Sequence, residues 1–158
     1  MRTSLEVVPR SAAALPAAVD LIRSRYPGID TVNVPDRPNC NLRSIAAAAL
    51  IAGRIAHRIP HLRARDFDAR SAALLVEQLR RHAIAEVIVI AGDKGPAGNG
   101  DDGFEPTALI RFFAERAPEL TVYAAIDPHR YRDPHALAEN IARKREAGEE
   151  LERGAAAG

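Results

Sequence analysis

Apolar residues along the chain switch repeatedly between two spacings. In TSLEVV (3–8) they crowd together as in a strand, whereas LPAAVDLIRSRY (15–26) sets Leu15, Val19, Ile22 and Tyr26 on one helical face before Pro27-Gly28 closes it. IDTVNV (29–34) predicts a second strand. After a polar loop rich in Pro and Asn, RSIAAAALIAGRIAHR (43–58) predicts an Ala-rich helix. IPHLRAR (59–65) is the third strand, and Asp68 is placed to cap a helix over ARSAALLVEQLRRH (69–82). EVIVIA (86–91) is nearly continuous and β-branched, as in a parallel strand covered on both faces. Glu105-Pro106 opens a helix through Arg116, since Pro is tolerated at a first helical position. LTVYAAI (120–126) is a fifth strand, and Asp133-Pro134 caps a last helix that Gly148 is expected to end.

Five βα units in succession predict an α/β fold, a parallel sheet joined by right-handed helical crossovers. They form one domain over residues 1–148, with 149–158 as a frayed Ala/Gly-rich tail. Two architectures accept them: a flavodoxin-like doubly wound sheet, or an incomplete (β/α)8 barrel of the TIM type, whose full form takes ~250 residues. At 158 residues, length alone favours the doubly wound sheet. Strand order separates the two, 2-1-3-4-5 in the flavodoxin-like sheet and 1-2-3-4-5 along a barrel arc.

Composition narrows the function classes. The chain is 47% hydrophobic but only 4% aromatic, so its core is aliphatic and rich in Ala. Lys and Arg number 22 against 21 Asp and Glu, a net charge of +1 that argues against nucleic acid as a partner. A single cysteine, Cys40, excludes an internal disulfide and fits a reducing, cytoplasmic setting. No segment reaches the ~18 apolar residues of a membrane span, and the N-terminus lacks the apolar core of a signal peptide.

In parallel α/β folds ligands bind at the carboxyl ends of the strands. Here a polar residue stands at every such end: Glu6 in strand one, Asn33 in strand two, His61, Arg63 and Arg65 alternating in strand three, Asp93 after strand four and Asp127 after strand five. Taken singly, each is more often a turn former or cap. Glu6 is the most informative, because an acid within a strand is costly to bury unless it is paired or protonated. Two readings stay open for it: a general acid of raised pKa, or the partner of Arg63 or Arg65 in an ion pair. The loop GDKGPAGNG (92–100) has neither GxGxxG nor GxxxxGK[ST] in register, so it is not a phosphate-binding P-loop. The five histidines show no zinc-ligand spacing.

In order, SLEVVPR, IDTVNVPD, IPHLRARDFD, AEVIVIAGD and NIARKREAG resemble the successive motifs of the methylenetetrahydrofolate reductases, flavin-dependent (β/α)8 barrels, over residues 4–148. The resemblance implies that this is a flavoprotein of one-carbon and folate metabolism, on the route to methionine. It would reduce 5,10-methylenetetrahydrofolate to 5-methyltetrahydrofolate with NAD(P)H through FAD. It places Glu6 as the general acid and Asp93, in the Gly92-Asp93 pair, beside both flavin and folate. His61, in Pro60-His61-Leu62, and Asn33 would contact the flavin, and Asn140, Arg143 and Lys144 its phosphate and ribitol side. Arg63, Asn33, Ala91 and Ile126 depart from the family's Thr, Thr, Arg and Tyr. The likeness ends after the fifth helix, where the family continues with three more strands. A second copy or a completing partner chain is therefore expected, or else a non-catalytic remnant or subunit that binds flavin, folate or a partner.

Overall fold

The computed structural model describes residues 2–37, 41–92 and 103–155, with side chains through 148 apart from 130. Its elements run β1 (Ser4–Glu6), α1 (Ala14–Arg25), β2 (Thr31–Val34), α2 (Ser44–Leu50), β3 (His57–Arg63), α3 (Ala69–Arg81), β4 (Glu86–Ile90), α4 (Pro106–Arg116), β5 (Thr121–Ala124) and α5 (Pro134–Ala155). The strands form one parallel sheet in the order β1-β2-β3-β4-β5. β1 is an edge strand beside β2, not a strand inserted between β2 and β3. Packing divides the chain into two compact units, Met1–Leu62 with Leu79–Ile88, and Arg63–Gln78 with Val89–Gly158.

Several boundaries differ from the sequence expectation, among them those of α2, β3, β5 and α5. α2 stops at Leu50 instead of 58, because the chain turns through Ala52 and Arg54, whose amides bond back to Ala49 and Ile51, to Gly53 at φ 74°. That left-handed conformation ends a helix cheaply only at glycine. The residues released, His57 and Arg58, start β3, and Ala64–Asp66 form a short 3-10 turn after it. β5 ends at Ala124, which leaves Ile126 and Asp127 beyond the strand. α5 passes through Gly148 and continues to Ala155, since a helical Gly costs only about 1 kcal/mol and the Glu, Leu and Arg residues beyond it are good helix formers. The helix caps are as expected: Asp68 accepts the Ser71 amide at 2.7 Å and Asp133 accepts the His135 amide at 2.9 Å.

In the first unit the core joins Leu15 and Val19 of α1, Val32 and Val34 of β2, Ala47 and Ile51 of α2, and Ile55. The face of α1 is narrower than its periodicity implies: Tyr26, past the helix end, is 59% exposed. Side chains alternate along a strand, so Val32 and Val34 turn to the helices and Asn33 to the other side. The register pairs Ser4 with Thr31, Glu6 with Asn33, Thr31 with His57 and Asn33 with Ile59, which puts these residues on that opposite face. Right-handed crossovers made in one direction along a sheet place successive helices on the same side. The opposite face carries the buried Ile59 together with polar residues, Glu6 exposed and Asn33 and His61 half-buried.

That face curls. Arg2, just before β1, grips Glu86 at the start of β4 with two hydrogen bonds of 2.8 Å, and both meet the ring of His57, which lies 2.7 Å from Glu86. In a flat sheet β1 and β4 would stand roughly 14 Å apart at the backbone, three strand spacings. Arg and Glu side chains span that distance only when both are nearly fully extended, and strands that bend toward each other on the side that carries them shorten it.

α3 ends in a Schellman turn: the Ala83 amide bonds to the Arg80 carbonyl at 3.0 Å, and the Ile84 amide to that of Leu79 at 2.9 Å. Ala83 occupies the left-handed position, φ 49°, that this turn normally gives to glycine. Ala83→Gly is therefore expected to stabilise the protein by about 1 kcal/mol. Thermal unfolding should show a midpoint a few degrees higher; a lower midpoint would contradict the account.

Candidate functional site

Three of the expected residues come together at the carboxyl ends of the first unit's strands. Glu6 and Asn33 are register partners on β1 and β2. His61 follows Pro60, the partner of Val34, on β3. Glu6 is exposed along with the rest of β1, so the burial expected of it is not found: an edge strand is flanked on one side only. Arg63 and Arg65 have other carboxylate partners, Asp66 at 3.7 Å and Glu105 at 3.4 Å.

His61 is held by a network that the motif reading did not include. Asp36, buried just past β2, accepts Arg43 Nε at 2.8 Å and Arg43 Nη2 at 2.6 Å, and also the first amide of α2, Ser44 N, at 3.3 Å. Ser44 Oγ in turn donates to the His61 carbonyl at 2.6 Å. One carboxylate therefore fixes the start of α2, and α2 fixes the backbone of His61. The sequence carried a signal for this in Pro35-Asp36 after a strand and Arg43-Ser44 before a helix, a common arrangement for a buried cap.

Burial pushes the His61 imidazole below its ordinary pKa of 6.5, and the negative charges of Glu6 and Asp36 pull it back only in part. The ring is neutral near pH 7. The unfolded chain, with its ordinary value, takes up a proton at a pH where the folded ring still resists it. This group's contribution to stability is therefore complete above about 6.5 and lost as pH falls toward the folded pKa. An NMR titration of His61 should give a midpoint below 6.5, moved lower still by Glu6→Gln, which removes a charge favouring the imidazolium. A midpoint at or above 6.5 would contradict this.

Two atoms on this face, Asn33 Oδ1 and His61 Nε2, are buried with no hydrogen-bond partner among the described residues. Such groups cost about 1–3 kcal/mol each when nothing satisfies them. Asn33 Nδ2 reaches Ser4 Oγ at 3.4 Å, which leaves the acceptor end of the amide open.

The remaining expected residues belong to the second unit or lie outside the description. Gly92 is at φ 81°, packed against the Arg63 side chain. Asp93 lies outside the described residues. On α5, Asn140 has a buried Oδ1 with no partner among the described residues, Arg143 is exposed, and Lys144 donates to the Ala125 carbonyl past the end of β5. Desolvation, with Arg143 nearby, lowers the Lys144 pKa. Lys144 thus tethers its helix to the strand end. Asp127 accepts the His129 amide at 3.1 Å and caps the short turn Pro128–Arg130.

The described residues contain no group of three or more His, Cys, Asp or Glu able to hold a metal ion, and no helix among them is long and apolar enough to cross a membrane. No protein-family model matches the chain, and no curated protein matches it.

Proposed function

We propose that the chain is a methylenetetrahydrofolate reductase-like flavoprotein built on an arc of a (β/α)8 barrel, with its ligands on the polar face at the strand ends. One observation carries the reading: Asn33 Oδ1 and His61 Nε2, buried and unsatisfied, lie on the same curled face as Glu6. The strand order and the Arg2–Glu86 bridge support the barrel arc over the flavodoxin-like sheet. β1 and β5 are the sheet edges, and a barrel leaves no edge unpaired. Further strands would close it.

The residues present suit the FAD that the resemblance implies. A neutral imidazole and an amide carbonyl can meet the N–H and carbonyl groups of an isoalloxazine or pterin ring. Bound FAD supplies hydride transfer from NAD(P)H to the one-carbon unit of the substrate. Glu6, open to solvent on its strand edge, supplies the proton taken up by the folate nitrogen as the methylene bridge opens. Asp36, Arg43 and Ser44 hold the His61 backbone in place, so that its ring meets the ligand without rearrangement. A non-catalytic subunit is the alternative, favoured by the exposure of β1 with its acid.

The test is turnover. FAD-supplemented protein given NAD(P)H and methylenetetrahydrofolate should form 5-methyltetrahydrofolate with matching loss of reduced nicotinamide. Flavin binding without turnover would favour the subunit reading.

A further inference from the structure

We propose that Arg63 is the anchor of an oxyanion site in the second unit, one that takes a carboxylate or phosphoryl group of a small organic ligand. Arg63 is only 9% exposed, the most deeply buried arginine of the described chain. Its guanidinium carries five N–H donors in a planar fork. Among the described residues its one carboxylate neighbour is Asp66, 3.7 Å from Nε and beyond hydrogen-bond range, and Nε has no hydrogen-bond partner among them. A buried cation so poorly satisfied is costly, and structures retain one where an anion meets it.

The surroundings are built around this side chain. A Cβ at Gly92 would come within 3.1 Å of both Cβ and Nε of Arg63, and Gly92 sits at φ 81°, so a glycine is required there on both counts. Two residues along, Arg65 repeats the pattern: its Nε is buried and unpartnered, and its Nη2 meets the mostly exposed Glu105 at 3.4 Å. Two cations whose Nε–H groups have no partner among the described residues, each loosely matched to an acid, offer forked donors that suit a pair of oxygens of a carboxylate or phosphate. Where the chain resembles the reductases, Arg63 stands in place of a threonine, so this chemistry is the chain's own. It does not depend on the flavin reading.

The experiment is an NMR titration of the full chain that follows the arginine Nε–H signals, with the Arg63 signal assigned in the wild-type chain by through-bond correlation to its own backbone amide. Inorganic phosphate, succinate and chloride are added at constant ionic strength. The Arg63 signal should move saturably with phosphate or succinate and not with chloride, and the stronger of the two identifies the headgroup as phosphoryl or carboxylate. Arg63→Lys, folded by circular dichroism, should bind that anion about tenfold more weakly, having lost the fork. A wild-type Arg63 signal that neither oxyanion moves, or that chloride moves equally, overturns the proposal. Because the decisive reading is on the wild-type chain, a variant that fails to fold does not obscure it.

Discussion

Glu6→Gln is expected to lower folate reduction by about 10²–10⁴-fold, the usual contribution of a positioned general acid, while leaving reduction of bound flavin by NAD(P)H unchanged. Glutamine keeps the size and polarity of the side chain and removes its ionisable proton together with its charge. Because β1 is an exposed edge strand with no core beneath Glu6, the change should not disturb the fold, so a loss of activity would report chemistry. Rapid-mixing measurement of the two half-reactions separates them. If the folate half-reaction keeps its rate, Glu6 is not the acid.

Asp36→Ala is expected to cost stability instead. The Asp36 side chain is 4% exposed and accepts from Arg43 and from the Ser44 amide. Its removal leaves a buried helix amide without this acceptor and takes the bidentate carboxylate away from Arg43. Since Arg43 is itself half exposed, the loss should fall near the lower end for a broken buried pair, about 3 kcal/mol, or roughly 10 °C in thermal midpoint for a chain of this size. Asp36→Asn, which keeps an acceptor for the Ser44 amide, should lose less. A midpoint within a degree or two of wild type in the alanine variant would remove this network as the support of His61.

The pattern of apolar residues made the elements legible because each strand or helix carries its own period, and the turn chemistry at Asp68, Pro106 and Asp133 marked where helices begin. What it left hidden depends on neighbours in space. TSLEVV reads as a strand whether it lies at the centre or the edge of a sheet, so the exposure of Glu6 could not be read from it. The Ala run of α2 looks continuous with 51–58 until the left-handed turn at Gly53 is seen. Gly148 resembles a helix end, yet its neighbours on both sides are strong helix formers. At the site, Glu6, Asn33 and His61 were readable as polar residues at strand ends. The Asp36–Arg43–Ser44 support was marked only by the turn and cap residues at its two ends, because the bond between them joins residues eight apart, a pairing that no local period reports.

The central claim is that the curled polar face binds a flavin, and direct titration tests it most simply. The intact chain is titrated with FAD while the quenching of flavin fluorescence is followed, alongside His61→Leu, which removes the unsatisfied ring nitrogen. The account predicts saturable binding of one flavin per chain, weakened about tenfold or more in the variant, equivalent to ~1.4 kcal/mol. No saturable binding by wild-type protein that is folded by circular dichroism would contradict it.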